Sequence, residues 1–488
     1  MKGTAVIIGA GFGGLSCAVR LAAGGWKVTV LERQSAPGGK LQRIEQDGYT
    51  FDRGPSTITM PHVFRSLYEL AGARMEDYVS LYELEPRTRN VFADGTVVDL
   101  SKNRAFMREQ IAAYSPGDAG RYNEFLDEAG ELYRLSNRRF LNRPMLSWRD
   151  KLAPGLLRDW LRVRPLVRLE PFLRRYFKHP NTLAMFGRYA TYVGSSPYEA
   201  PSIFAMLGSA EAEEGIYGVH GGTYRLVEGL LTLARELGVT VVTNTEAKQI
   251  RLDGGRVTGV ETADRFYPAD RVVIGGDAVQ AAARLLPDRA EPGLKPEAYE
   301  PSLSGMVLLA GVGRRYDALL HHTVFFPETY RDEFLYIFGR RMTPPEPAVY
   351  VCHSGYTESG MAPEGASNLF ILANAPYLSE ACDWREEKHY YADRILSVLE
   401  NHGIKGVREA EVLIPYTPQD IAADTLAYKG AIYGISSNSV RQTFFRPGNK
   451  SRGVKGLWYV GGTTHPGGGT PIVSLSGRMV AETILGGG

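Results

Sequence analysis

The first fourteen residues constrain this chain more than any other stretch. Thr4 to Ile8 is a short run rich in β-branched residues, Gly9-Ala10-Gly11-Phe12-Gly13-Gly14 interrupts it, and Leu15 to Ala23 is rich in apolar residues in the manner of a helix. The order is strand, tight turn, helix. In such a turn Gly9 permits the sharp reversal, Gly11 removes a side chain where backbone must approach a pyrophosphate, and Gly14 lets helix and strand pack closely. The helix N-terminus then offers unpaired N–H groups and partial positive charge to the phosphates. Trp26 to Leu31 reads as the next strand, and Glu32 stands at its end, where a carboxylate accepts from ribose hydroxyls. Gly9, Ala10, Gly11, Gly14 and Glu32 therefore point to a dinucleotide, and an acid at that strand end disfavours the 2′-phosphate of NADP, leaving FAD or NAD. Just beyond Glu32 and Arg33, Pro37-Gly38-Gly39-Lys40 supplies flexible backbone and a cation along the path that the FAD pyrophosphate and ribityl chain would take.

The remaining text is long enough for several domains. At 488 residues, with 44% hydrophobic and 23% charged residues, the chain has an ordinary globular composition with ample core. Lys and Arg total 56 against 54 Asp and Glu, and a net charge of +2 argues against a surface built to hold nucleic acid. Cys17, Cys352 and Cys382 lack the spacing of a disulfide framework or zinc site, which fits a reducing cytoplasm. No charge-free apolar run reaches transmembrane length, and glycines interrupt the only segment resembling a signal peptide. The expected architecture is mixed α/β. Residues 1–75, 218–290 and 456–488 form a nucleotide-binding domain, 76–115 and 291–455 a substrate domain, and 116–217 an inserted helical subdomain. Within the nucleotide-binding part, Tyr224 to Leu237 reads as a helix, and Val239 to Val242 and Arg271 to Ile274 as strands. Near the C-terminus, Leu457 to Val460, a glycine-rich turn and a helix from Ile472 repeat the strand, turn, helix order. His321, His322 and His353 are not joined by a carboxylate or a second spacing that completes a ligand set, so no metal is expected.

Several motifs resemble the flavin-dependent carotenoid desaturase family, which comprises the phytoene and diapophytoene desaturases and the related terminal-methyl carotenoid oxygenases. They are the N-terminal VIIGAGFGGLSCAVRLAAGGWKVTVLERQSAPGGK, the turn Phe51-Asp52-Arg53-Gly54-Pro55-Ser56, the segment from Glu211 to Gly222, and Tyr459 to Pro471. The resemblance runs from end to end, and Tyr459 to Pro471 is its most specific part. It implies a glutathione-reductase-like FAD-binding Rossmann domain, an amine-oxidase-type substrate domain, and FAD as cofactor. It adds Gly54, Pro55, Ser56, Gly462, Thr463, Thr470 and Pro471 to the cofactor contacts. The implied reaction is desaturation of an acyclic carotenoid precursor by hydride transfer to flavin. The alternative is conversion of a terminal methyl group to an aldehyde, because the Gly-Gly-Gly-Thr-Pro-Ile-Val-Ser-Leu-Ser-Gly ending is closer to the oxygenase relatives. A non-redox polyene isomerase and a prenyl-protein carrier are further alternatives, the carrier being disfavoured by the intact glycine and Glu32 set.

A polyene hydrocarbon offers no polar handle, so its recognition falls to an apolar tunnel. Candidate proton acceptors are Glu211, Glu213 and Glu214, with Tyr217 lining the site and His465 as a further chemical candidate. Between Arg138 and Lys178, twelve cations, among them Arg143, Arg164, Arg174 and Arg175, are opposed within the stretch only by Asp150, Asp159 and Glu170. Trp160, Phe172, Leu173, Tyr176 and Phe177 are interleaved with them, which reads as an interfacial segment on an anionic membrane surface. The expectation is a cytoplasmic, peripherally membrane-associated protein.

Overall fold

The computed structural model describes residues 2–142, 164–287 and 290–487. Five parallel strands form the nucleotide-type sheet in the order Leu457–Tyr459, Arg271–Ile274, Thr4–Ile8, Lys27–Leu31, Thr240–Val242. Strand alternation divides its side chains between two faces. Ala5, Ile7, Val28, Val30, Val273 and Trp458 face one core, shared with the helices Phe12–Ala23, Arg225–Glu236 and Thr470–Leu485. Val6, Leu31, Val272, Ile274, Leu457 and Tyr459 face the other, which is covered by the helix Ala278–Leu285 and the antiparallel strands Gln249–Asp253, Arg256–Glu261 and Phe266–Pro268. A parallel sheet covered on both faces explains why its strands are apolar runs rather than alternating ones.

The second body is a seven-stranded sheet in the order Val412–Tyr416, Ser304–Val312, Ser367–Ala375, Val349–Cys352, His322–Phe325, Thr88–Val91, Val97–Leu100. Only His322–Phe325 with Thr88–Val91 pairs in parallel. Trp384–Asn401 covers one face through Trp384, Tyr391, Ile395 and Leu399. The ribbon Gln42–Gln46/Tyr49–Arg53 packs Tyr49 and Phe51 against Val307 and Leu309 of the opposite face, so it joins the first body to the second.

The helical expectation for 116–217 meets Pro116–Ser136, Leu169–Leu173, Pro180–Gly187 and Met206–Glu214, followed by a strand, Ile216–Val219, paired with Leu81–Leu84. The interfacial reading of this stretch is corrected on two counts. Leu169, Phe172, Leu173, Tyr176 and Phe177 are buried, and the ring of Phe125 lies 5.0 Å from Phe177 and 4.8 Å from Phe186, so these residues are core. The cations are also less naked than a count within the stretch implies. Glu128 meets Arg164 and Arg175 (3.4 Å), Glu199 meets Arg168 at 3.0 Å, and Glu170 pairs with Arg174. Leu166 remains exposed, while Arg143, Arg149 and Trp160 lie outside the described residues.

The first and last helices cross at backbone contact. A Cβ on Gly477 would stand 2.5 Å from the Gly13 carbonyl oxygen and 2.9 Å from the Cys17 nitrogen, and the Ser16 hydroxyl donates to the Ser474 carbonyl at 2.7 Å. Gly477→Val is expected to force the helices apart at a cost of about 1–3 kcal/mol, typical of overpacking. Thermal unfolding of the purified protein checks this, and an unchanged midpoint would refute it.

Candidate cofactor groove and interior site

Three neighbouring strands, Leu457–Tyr459 at the side of the sheet and the two next to it, run into glycine at the same end of the sheet. Gly9 (φ +99°) follows Thr4–Ile8, Gly275 follows Arg271–Ile274, and Gly461 (φ +127°) lies just beyond Leu457–Tyr459. The left-handed backbone at Gly9 and Gly461 is open to glycine at little cost. A Cβ on Gly14 would lie 2.2 Å from the Gly9 oxygen, so the third glycine of the motif is required by helix and strand packing. Gly11 and Gly276 are bare in another sense. A Cβ on Gly11 would meet only the Gly39 Cα, at 4.0 Å, and one on Gly276 nothing within 4 Å. The result is a groove walled by backbone at the carboxyl ends of parallel strands, the place where such sheets hold ligands. Two helices open beside it, capped by Gly11 and by Gly469 (φ +109°), and neither cap supplies a side-chain acceptor to the first-turn N–H groups. Thr470 and Pro471 form the first turn of the second helix, and the C-terminal expectation is met with a start two residues earlier than Ile472.

Glu32 is buried, and both its oxygens hold backbone. Oε2 accepts from the Ala10 N–H at 2.8 Å and Oε1 from the Gln34 N–H at 2.8 Å. The carboxylate thus ties the glycine turn to its strand end and keeps lone pairs for a further donor. The Gly38 N–H donates to the Ala10 carbonyl at 2.9 Å, and the Tyr224 hydroxyl to the Pro37 carbonyl at 2.8 Å, which lays the Pro37–Lys40 loop over the first turn with Gly39 near Gly11. Lys40 and Arg33 do not extend into the groove as free cations. The Lys40 ammonium donates to the Ala431 (2.9 Å) and Ile432 carbonyls, and burial pulls its pKa down to about 8. Arg33 donates to the Ala423 and Asp424 carbonyls at the end of the helix Pro418–Thr425. Gly54 sits against the Lys40 carbonyl, and beyond Pro55 the Ser56 hydroxyl lies 2.6 Å from the Tyr350 hydroxyl.

The C-terminal turn is braced from both sides. Buried Arg446 donates to the Gly462 carbonyl at 2.6 Å and to the Ile435 carbonyl at 2.9 Å. The Tyr433 backbone crowds Gly462 and Gly468, and Gly434 crowds buried Thr463. His465 directs Nε2 to the Phe140 carbonyl at 3.0 Å, while its own carbonyl accepts from Asn449 and Ser476. One imidazole nitrogen of His465 is thus engaged with backbone of the helical region.

The sequence profile described as flavin containing amine oxidoreductase matches residues 12–318. Over 484 residues the chain is 34% identical to the 4,4'-diapolycopene oxygenase of a Methylomonas species, covering 98% of this chain and 97% of that one. It is 32% identical over 487 residues to the 4,4'-diaponeurosporene oxygenase of Staphylococcus aureus, with the same two coverages. The chain belongs to the flavin-containing amine oxidoreductase family. Among solved structures it is similar to an oxidoreductase from Methanosarcina mazei (TM-score 0.64, 18% identity, 98% of this chain and 100% of that one). It is also similar to putrescine oxidase bound to putrescine (TM-score 0.66, 14% identity, 99% of each chain). The mixed α/β fold and FAD-dependent oxidoreductase chemistry expected from the sequence both hold. The groove fits the cofactor, because bare glycine backbone and two uncapped helix starts suit a diphosphate. FAD supplies the two-electron redox chemistry that no side chain offers.

The three candidate glutamates separate. All lie on Met206–Glu214, but only Glu211 is buried in the interior, 3.7 Å from the guanidinium of buried Arg87. Glu213 is exposed and accepts from Ser209. Glu214 accepts from Tyr133 and faces His62 at 3.4 Å; burial works to raise its pKa, but these partners outweigh it and hold the carboxyl below its ordinary range. Tyr217 is half-buried in a backbone bridge to Ile58. Sequence reasoning missed Arg188, Tyr192 and Arg87, which surround Glu211. The only signal was an arginine followed by tyrosines at Tyr189 and Tyr192, a spacing that stacks both rings near the guanidinium, 5.8 and 5.1 Å away. The histidine trio is also rearranged, since His321 and His322 converge with Cys352, their ligand atoms all within 4.8 Å, whereas His353 is not in the group. Hydrogen bonds to Thr357 and Tyr350 engage one nitrogen of each of these two rings.

Glu32→Ala is expected to weaken FAD binding by about 1–3 kcal/mol, the cost of losing charged hydrogen bonds at the turn and the ribose. Titration of the apoprotein with FAD, followed by flavin fluorescence, reads this directly. An affinity equal to wild type would remove Glu32 from the site.

Proposed function

We propose that the enzyme oxidises a terminal methyl group of an acyclic diapocarotenoid to an aldehyde. In balance, R–CH3 and dioxygen give R–CHO and water. The observation that carries this reading is the end-to-end likeness to two oxygenases named for diapocarotenoids, at 34% and 32% identity. It favours methyl oxidation over the desaturation that the sequence put first. In this proposal FAD lies along Gly9, Ala10, Gly11 and Gly14, with Glu32 at the ribose. Gly39, Gly54, Pro55 and Ser56 flank its middle, and Gly462, Thr463, Thr470 and Pro471 close its far end. Arg33 and Lys40 shape the groove through the backbone carbonyls they hold.

The chain's own part is to bind the polyene, position its end carbon, exclude water and accept a proton. Glu211 is the candidate acceptor because it is the one glutamate of the three that faces inward. Expression in cells accumulating 4,4'-diapolycopene, followed by mass spectrometry of the pigments, tests the class of reaction. The expected product has gained one oxygen and lost two hydrogens. A product that has lost only hydrogens would return the reading to desaturation, and one of unchanged mass would make the enzyme an isomerase. Glu211→Gln is expected to lower turnover by about 100-fold with FAD retained, and Glu213→Gln to leave it unchanged. Equal turnover in both variants would discard Glu211 as acceptor.

A water-insoluble polyene has to be drawn from a membrane, and we propose that the protein attaches to one peripherally. No helix among the described residues is long and apolar enough to cross a bilayer. Support comes from exposed Leu166 and from the basic composition of 143–163. Binding to anionic vesicles should fall as salt rises, at about 1 kcal/mol for each surface cation. Sedimentation independent of vesicles would contradict attachment.

A further inference from the structure

Beside the cofactor groove, two strand ends bring nitrogen and sulphur donors to one place. His322 and Cys352 face each other in the antiparallel pairing of His322–Phe325 with Val349–Cys352, and His321 precedes the first of these strands. All three side chains are buried, and one ligand atom from each lies within 4.8 Å of the other two. The spacing of His321, His322 and His353 does not reveal this set, because its third donor is Cys352 and not His353. Each imidazole is oriented through one nitrogen: His321 Nδ1 lies 2.6 Å from the Thr357 hydroxyl, and His322 Nδ1 lies 2.8 Å from that of Tyr350. Metal-bound histidines are held in this way, one nitrogen fixed by a neighbour and the other on the ion. Nε2 of His322 is buried without a hydrogen-bond partner, which is costly for a polar atom unless something binds it. Cys352 is in no disulfide, and its thiol lies beside the Tyr350 and Ser56 hydroxyls.

The surroundings leave room for an ion. A pocket of about 20 Å³, space for about one water molecule, is lined by His321 and Cys352 together with Asp52 and Glu358. Both carboxylates are engaged elsewhere. Asp52 accepts from Thr223 at 3.2 Å and faces Arg43 at 3.6 Å, while Glu358 accepts from the Gly221 N–H and pairs with His220, both at 3.0 Å. The donors left to an ion are therefore the imidazoles and the thiol. Two imidazoles and a thiolate form a borderline-soft set, which suits zinc and not magnesium or calcium. Donors on a tetrahedral zinc stand about 3.3–3.6 Å apart, so the three would close by at most about 1.5 Å, within the reach of side-chain torsions.

We propose that His321, His322 and Cys352 bind a zinc ion as three of its four ligands, with the fourth position turned to the pocket and filled by water. Cys352 binds as the thiolate, and its proton leaves to solvent as the ion enters. Thr357 and Tyr350 are positioning residues that hold the two rings. The site is the same whichever bond of the polyene is oxidised.

The test uses FAD-loaded Cys382→Ser protein, which lacks the one thiol that is not buried. It is stripped with a chelator, incubated with zinc sulfate and desalted, and elemental analysis is expected to find about one zinc per chain. Cys352→Ala and His321→Ala in the same background are expected to weaken zinc binding by about 100-fold or more, and Thr357→Val by about tenfold. FAD content reports whether each variant has folded. Cobalt(II) in place of zinc is expected to give the visible bands of a tetrahedral ion, at longer wavelength than the flavin bands, with a sulphur-to-metal charge-transfer band that Cys352→Ala removes. Zinc retained equally by Cys352→Ala overturns the proposal, since surface histidines would then hold it. A parent protein that retains no zinc overturns it as well. If the alanine variants do not hold FAD, the cobalt spectrum of the parent decides, and six-coordinate bands without the sulphur band overturn the site.

Discussion

The structure depends on a helix crossing with no room for a side chain. Gly13 and Gly477 let the first and last helices meet at backbone distance, and the Ser16 to Ser474 hydrogen bond fixes their register. That contact brings the two ends of the chain onto one sheet, with Leu457–Tyr459 two strands from Thr4–Ile8. Their glycine-rich turns then open on the same edge. A groove for an extended dinucleotide needs bare backbone along its length, and no single turn is long enough to provide it. Here Gly9 and Gly11 from the start, Gly275 and Gly276 from the middle, and Gly461 and Gly462 from the end supply successive stretches. Sequence separation is the consequence of building one site from several strand ends.

The residues around this groove are occupied with holding it. Glu32 binds two N–H groups, Lys40 and Arg33 bind carbonyls of distant segments, and Arg446 binds the Gly462 carbonyl. Each charged group satisfies backbone that a strand, turn, helix arrangement leaves unpaired. A cofactor entering such a site meets donors and acceptors already fixed in place. Its binding energy is therefore not consumed in ordering the protein.

The parts legible in the sequence were those with local causes. Glycines needing positive φ, β-branched runs and an acid at a strand end act within a few residues of themselves, so Thr4–Ile8, Phe12–Ala23, Arg271–Ile274 and Thr470–Leu485 fell within three residues of expectation. What failed depended on partners far along the chain. The cations near Arg168 and Arg175 looked unopposed because Glu199 and Glu128 lie outside the counted stretch. Phe172 and Phe177 looked available to lipid because Phe125 and Phe186, which bury them, come from other helices. Glu211, Glu213 and Glu214 were indistinguishable since Met206–Glu214 has no marked apolar stripe to tell its inner face from its outer one.

Arg188 and Tyr192 fall outside any motif for a related reason. Their meaning comes from the interior they enter, and that interior is assembled from the helical region, the seven-stranded sheet and the C-terminal turn. The fold is shared with proteins whose names denote amine oxidation, so the fold cannot select the substrate. Selection must come from the lining. An apolar wall accepts a hydrocarbon of suitable length and discriminates weakly between neighbouring chain lengths, because each added methylene changes transfer energy by only about 0.8 kcal/mol. A buried hydrogen-bonding group discriminates far more sharply, since the wrong ligand leaves it unpaired. An interior of this kind selects chain length by the extent of its apolar surface and functional groups by its few buried polar atoms, and the two properties can change independently by substitution.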